Sequence, residues 1–345
     1  MSTNKITFLL NWHATPYHAP IYLAQAKGYF ADEGVQVALL EPNDPSDVTE
    51  IIGSGKVDMG TKAMIHTIAG DARGFPIESI GTLLDEPFTG VVYLAGSGVT
   101  ADMRSLRGKR IGYVGEFGKI QIDELTTHYG MQPGDYEAVR VGMNVSDAIK
   151  RGDIDAGIGL ENVQMVELEE WCREQGRPTS DVKMMRIDEL AELGCCCFCS
   201  ILYIANKPFL AREPAKAAAF MRAVKRATEY VFAEPAKSWA EYKLYKKSMN
   251  TPVNEKIFER SYVYLSKDCA NVPRDWNKVV NYCKRLGVVK PDFEPNMTNK
   301  FISWDIEPEV ADPAGKQVEI AQHQQNVAAN GGVLREGRVG VASAA

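Results

Sequence analysis

The sequence predicts an α/β fold of two lobes flanking a cleft, with added helices toward the C-terminus. Short apolar runs of strand length alternate with helix-length segments from Lys5 to Leu160, the pattern of largely parallel sheets covered by helices. At 345 residues the chain can bury two cores rather than one. A Gly-, Ser- and Thr-bearing stretch from Ser97 to Leu106 interrupts the alternation and reads as a crossing between lobes. With a return crossing near residue 204, lobe 1 comprises 1–96 plus 205–330 and lobe 2 comprises 97–204. The Gly-, Ala- and Ser-rich segment 331–345 is expected to be a flexible tail.

Residues 5–10 and 34–41 read as the first strands. Between them lie a loop, Asn11 to Ala19, and a helix around Pro20 to Phe30, with the proline in the first turn, where its missing N–H costs nothing. A helix near Ser46 to Ser54, capped by Asp44 or Ser46, precedes a short strand at Val57 to Met59. A helix from about Lys62 onward follows, with Thr61 as its N-cap. In lobe 2, strands at Arg110 to Val114, Tyr136 to Val141 and Ala156 to Leu160 alternate with helices at Ile120 to Tyr129 and Val145 to Lys150. Residues 195–203 read as a strand. The chain then turns helical over 214–232, 235–247, 255–266 and 276–286, with one last helix at 315–329.

Hydrophobic residues make up 45% and charged residues 24%, with a net charge of −6, the balance of an ordinary globular protein. No basic block or basic–aromatic stripe is present, which argues against nucleic acid as a partner. No run approaches the roughly 20 apolar residues of a membrane span. Ile6 to Leu10 is too short for a signal-peptide core. Seven cysteines, four of them within Cys195 to Cys199, do not form a spaced disulfide framework, so a reducing, cytoplasmic location is expected.

In open parallel sheets, ligands sit beyond the carboxyl ends of strands. Those ends here are Asn11 to His18, Gly60 to His66, Gly115 to Lys119 and Gly142 to Asn144. In the first, a flat ring can stack on Trp12 or Tyr17, and His13 and His18 can bind metal or carry protons; the alternative is a packed loop. In the second, Lys62 and His66 are four apart and would share one helix face, with Cβ atoms about 5–6 Å apart. The positive end of the helix dipole would then lower the lysine pKa and favour the neutral amine that attacks an aldehyde. The alternative is an exposed lysine and a packed histidine. In the third, Gly115 and Gly118 let backbone amides approach a ligand, and a helix N-terminus favours phosphate; without a Walker or dinucleotide sequence, a tight turn explains the glycines equally. Glu161 ends a strand and can face the cleft, while the Asp85-Glu86 pair carries little weight.

Cys195, Cys196, Cys197 and Cys199 crowd four thiols into one short apolar element. Thiolates favour soft metals such as iron, zinc or copper(I), whereas free cysteines also serve as small buried hydrophobes. On a flat strand Cys195 and Cys199 would lie roughly 13 Å apart, too far for one ion with metal–sulfur bonds of about 2.3 Å. Either the strand bends at Gly194 or only some of the thiols bind.

Together, Asn11-Trp12-x-Ala14-Thr15-Pro16-Tyr17-His18, in which position 13 is a variable slot, Lys62 with His66, Gly115-Glu116-Phe117-Gly118 and Cys195-Cys196-Cys197-Phe198-Cys199 resemble the fungal Thi5/NMT1-like 4-amino-5-hydroxymethyl-2-methylpyrimidine phosphate synthases, which make the pyrimidine of thiamine. The resemblance runs from about residue 5 to beyond 300. It implies a two-lobed periplasmic-binding-protein (type II) fold and a homodimer. It implies pyridoxal phosphate as a substrate, held by Lys62 as an aldimine, with Asn11, Trp12 and Tyr17 in the binding site. Gly115, Glu116, Phe117 and Gly118 would grip the phosphate. His66 would donate atoms to the product in a single turnover driven by iron and molecular oxygen, and the cysteine motif would be the iron site. Two rivals remain from the residues alone. One is a binding protein for a pyrimidine or small anion, which needs neither the thiol cluster nor an amine–imidazole pair. The other is a multiple-turnover pyridoxal phosphate enzyme, which differs in product stoichiometry.

Overall fold

The structure, a computed structural model, describes residues 4–85, 89–132, 134–186 and 199–302. The chain builds two five-stranded mixed sheets. The first holds β1 (Lys5–Leu9), β2 (Gln36–Leu40), β3 (Met59–Ala63), β4 (Ile77–Leu84) and β10 (Ile201–Asn206), in the order β2-β1-β3-β10-β4. The second holds β5 (Thr89–Leu94), β6 (Arg110–Tyr113), β7 (Glu137–Arg140), β8 (Ala156–Leu160) and β9 (Val182–Arg186), in the order β7-β6-β8-β5-β9. In each sheet three strands run parallel: β1 lies between β2 and β3, and β6 between β7 and β8. One strand in each sheet runs against the other four: β10, between β3 and β4, and β5, between β8 and β9. The expected α/β character and two lobes are therefore present, but the sheets are mixed.

The crossing into the second sheet comes between Leu84 and Thr89, not near residue 97. The Gly- and Ser-bearing stretch is a turn inside lobe 2: Ser97 N–H donates to Leu94 O, closing the chain just after β5. The return crossing lies between β9 and β10, ahead of residue 201, so the whole of β10 belongs to the first sheet. Strands β4 and β5 and the helix Val166–Glu174 were not expected from the sequence. The helix predicted at Pro20 to Phe30 is two, Ala19–Ala26 and Tyr29–Asp32, because Gly28 stands between them at φ +74. The last expected helix, 315–329, and the tail 331–345 lie outside the described residues.

One face of the first sheet packs on the helix Pro214–Ala233, where Phe8 stacks on Phe220 at a ring separation of 4.7 Å. Its other face is covered by Val48–Gly53, Met64–Ala72 and Pro273–Arg285, the last inserting Trp276, Val279 and Val280. A polar knot sits within this apolar layer. Asn271 Oδ1 accepts from Ser79 Oγ at 2.6 Å and from the Trp276 indole N–H at 3.2 Å, and Asn271 Nδ2 donates to Thr298 O. Buried polar atoms that are paired in this way fix strand and helix positions that apolar contacts alone leave free to slide.

The strand that carries Lys62 depends on a glycine. A Cβ at Gly60 would stand 2.2 Å from Leu9 O, so only glycine lets β3 press against β1 at that level. Charged pairs tie the lobes: Arg140 to Asp44 at 2.5 Å, Arg73 to Glu116 at 2.7 Å and Arg260 to Glu161 at 3.1 Å.

Candidate active site

Between the sheets lies a cavity of about 150 Å³, open at its mouth. Lobe 1 supplies the ends of β1 (Asn11, Trp12) and β3 (Lys62, Ala63) and the first turn of the helix Met64–Ala72 (Ile65, His66). Lobe 2 supplies the end of β6 and the start of the helix Glu116–His128 (Val114, Gly115, Phe117, Gly118) and the end of β8. These are carboxyl ends of the parallel strands, where the open-sheet rule puts ligands.

Lys62 and His66 face this one cavity, but not by sharing a helix. Lys62 is on β3, opposite Leu202 of β10, and the helix begins only at Met64. The expected helix-dipole effect on Lys62 is therefore replaced by burial. The side chain is 4% exposed, and desolvation lowers its pKa to about 8 against the opposing pull of Asp44 and Asp47. Its Nζ donates to Pro45 O. Burial, followed by the charges of Lys62 and Arg73, holds the His66 imidazole well below its ordinary pKa, so it is neutral at pH 7. Its ring meets Phe117 edge-on, with centroids 4.8 Å apart.

Asn11 anchors the same wall beside Lys62. Its N–H donates to Thr61 Oγ1 at 2.9 Å, and its Nδ2 donates to Tyr17 OH at 3.0 Å. Its Oδ1 lies 3.0 Å from His18 Nε2, while His18 Nδ1 accepts from Thr15 N–H at 3.2 Å. That pairing makes Nε2 the protonated nitrogen. His18 is thus consumed in positioning Asn11, and burial keeps it neutral. Trp12 lies half-buried in the wall and offers a ring face to a flat ligand.

The family model described as NMT1/THI5 like matches residues 15–238. A 4-amino-5-hydroxymethyl-2-methylpyrimidine phosphate synthase of Aspergillus parasiticus is 69% identical, over 97% of this chain and 98% of its own. The synthase of the same name from Candida albicans is 60% identical, over 97% and 99%.

The chain belongs to the NMT1/THI5-like family.

Its fold is that of periplasmic binding proteins. A Candida albicans gene product described as having the generic periplasmic binding protein fold superimposes with a TM-score of 0.64 at 15% identity, over 89% of this chain and 99% of that one. An alkanesulfonate-binding protein of Xanthomonas axonopodis gives 0.63 at 13% identity, over 83% and 95%.

Within this NMT1/THI5-like chain the glycine segment sits where it was expected, but its residues divide. Gly115, Phe117 and Gly118 line the cavity, whereas the Glu116 side chain turns away to pair with Arg73. A Cβ on Gly115 would stand 2.9 Å from Ser46 Oγ, so the glycine lets the two lobes close over this corner. Gly118 N–H donates to Gly115 O at 3.0 Å, while the amides of Glu116 and Phe117, at the start of the helix Glu116–His128, lack intrahelical acceptors and suit an anion.

Cys199 stands in the cavity wall, while Cys195, Cys196 and Cys197 lie outside the described residues. The next residue ties this segment to the site, because Ser200 O accepts from Met64 N–H at 3.0 Å, at the start of the His66 helix. Among the described residues no three His, Cys, Asp or Glu side chains gather as a metal site. His13 and Asn144 border a separate polar groove. Glu161 is held by Arg260 and by Tyr264 OH, which donates at 3.1 Å. Asp85 gives its backbone N–H to Tyr264 O, and Glu86 is outside the described residues. Sequence reasoning missed Gln121, Gln164 and Thr89, which also line the cavity; each is an ordinary residue for its element, so no pattern marked it.

Proposed function

We propose that the chain is an enzyme that makes 4-amino-5-hydroxymethyl-2-methylpyrimidine phosphate, the product named for its relatives, from pyridoxal phosphate and its own His66, once per chain, with iron and molecular oxygen. The observation that carries this reading is that a buried amine of lowered pKa and a neutral imidazole face one cavity that also receives a helix N-terminus. A passive receptor needs no such amine, and keeping a lysine in a desolvated wall costs stability.

The residues present suit pyridoxal phosphate. When bound, that molecule supplies an electrophilic aldehyde and a phosphate. Lys62 gives up its proton near pH 8, and the Pro45 carbonyl orients the Nζ. The first-turn amides and Gly115 receive the phosphate, and Trp12 covers a ring face. His66, uncharged, keeps one ring nitrogen free of a proton and lies close to the same space. Thiolates suit iron, and Cys199 enters the wall beside the His66 helix, which supports giving the cysteine motif to iron. The proposal includes a cytoplasmic homodimer.

The test is intact-chain and peptide mass spectrometry after reaction with pyridoxal phosphate, ferrous iron and oxygen. One product per chain and a mass change confined to His66 are expected, and His66→Asn should yield no product. Full yield from His66→Asn would overturn histidine donation, and many products per chain would point to ordinary turnover.

A further inference from the structure

Gln121 is 3% exposed, lines the cavity, and its Nε2 is buried without a hydrogen-bond partner. Buried amide donors are nearly always paired, so such an atom marks a missing acceptor. No described protein atom accepts from it, and the described cavity lining carries a lysine and no Asp or Glu, so the space favours an anionic acceptor. The acceptor therefore arrives with the ligand.

Its direction follows from helix geometry. Gln121 lies four residues after Phe117 on the 13-residue helix Glu116–His128, so the two share a face. Helical side chains lean toward the N-terminus, which carries the carboxamide back beside the first turn. There the amides of Glu116 and Phe117 also lack intrahelical acceptors. Gly118, between them in sequence, adds no side chain to obstruct the approach.

We infer that Gln121 is a specificity-determining residue that donates a hydrogen bond from its carboxamide to the phosphate of the bound ligand. This rests on the pyridoxal phosphate reading for the identity of the ligand; the unpaired donor and the free first-turn amides by themselves call for an anionic group. The residue completes a phosphate cradle whose other donors are main-chain amides, and it selects a phosphorylated ligand over its free alcohol.

The experiment measures equilibrium binding of pyridoxal phosphate, pyridoxal and inorganic phosphate to the full chain, without iron, for wild type, Gln121→Leu and Gln121→Glu. Gln121→Leu should weaken pyridoxal phosphate and inorganic phosphate by about tenfold, the scale of a hydrogen bond to a charged group, and leave pyridoxal unchanged. Gln121→Glu, which sets a carboxylate against the phosphate, should weaken both further. Equal weakening of pyridoxal and pyridoxal phosphate would place Gln121 on the ring and overturn the inference. Unchanged binding of all three would also overturn it.

Ligand-free thermal unfolding supplies a second arm. Gln121→Leu removes an unpaired buried amide, so its melting temperature should equal or exceed that of wild type. A clear fall would reveal a structural partner and defeat the inference. A chain that loses inorganic phosphate affinity in Gln121→Leu, yet takes no pyridoxal phosphate even as wild type, would keep the phosphate contact and remove the pyridoxal reading instead.

Discussion

The Lys62 Nζ donates its hydrogen bond to the main-chain oxygen of Pro45. That oxygen belongs to the turn Asp44–Pro45–Ser46, which Arg140 grips from the other lobe, with Nη2 2.5 Å from Asp44 Oδ2 and 3.4 Å from Ser46 Oγ. The amine is therefore oriented by lobe 1 and steadied by lobe 2.

The neutral amine is the reactive form, so capture of pyridoxal phosphate should rise with pH through about 8 and then level off. Asp44 pulls the lysine pKa upward, and Asp44→Asn should move the midpoint to lower pH. Borohydride trapping, read as a pyridoxyl mass on the Lys62 peptide, measures both. A midpoint near 10.5, the ordinary lysine value, would contradict the burial account.

The same burial carries a stability cost. The folded pKa lies below the unfolded one, so the penalty is complete below pH 8 and fades as the pH climbs toward 10.5. Lys62→Met should raise stability at pH 7 by about 1–3 kcal/mol, with the gain shrinking at alkaline pH, and should abolish capture. Urea unfolding at pH 7 and pH 10 checks the sign.

Arg140→Ala tests the grip across the lobes. Its pair with Asp44 is half exposed, so the loss of stability should stay within about 1 kcal/mol. Affinity for pyridoxal phosphate should nevertheless fall several-fold, because the Pro45 turn loses its outer support. An unchanged affinity would make the pair incidental.

Asn271→Ala should lower stability by about 2–4 kcal/mol, since it leaves the Trp276 indole N–H buried without its acceptor and turns the Ser79 hydroxyl to the longer contacts with Gly81 O and Tyr203 O. Thermal unfolding gives the readout, and ligand capture should persist in the folded fraction.

The thiols should separate by reactivity. Burial pushes Cys269 and Cys283 up to about 12, so neither forms thiolate near neutrality. Cys199, in the cavity wall, should react with iodoacetamide well before them, and bound pyridoxal phosphate should slow it. Peptide mapping over time decides this.

Much of the site was legible because strand ends are marked by small and polar residues after apolar runs. Asn11, Lys62, Gly115 and Phe117 were found in this way, and they do meet. The reason given for Lys62 was wrong. Met59-Gly60-Thr61-Lys62-Ala63 contains little of strand type, and its extended form is imposed by β1 and β10 on either side, partners distant in sequence. The same non-local pairing hid the crossing between Leu84 and Thr89, because neither β4 nor β5 is bounded there by a glycine-rich linker. Gln121 could not be singled out, since glutamine is a common helix former and only the unpaired Nε2 distinguishes it.

The place of β10 between β3 and β4 bears on how the polypeptide is made. A nascent chain emerging from the ribosome has β3 and β4 long before Ile201–Asn206, so the strand bearing Lys62 waits with an open edge while more than a hundred further residues, those of the second lobe, are synthesised. Stalled or truncated products ending before residue 201 would expose both edges together, which makes them natural clients for chaperones and proteases.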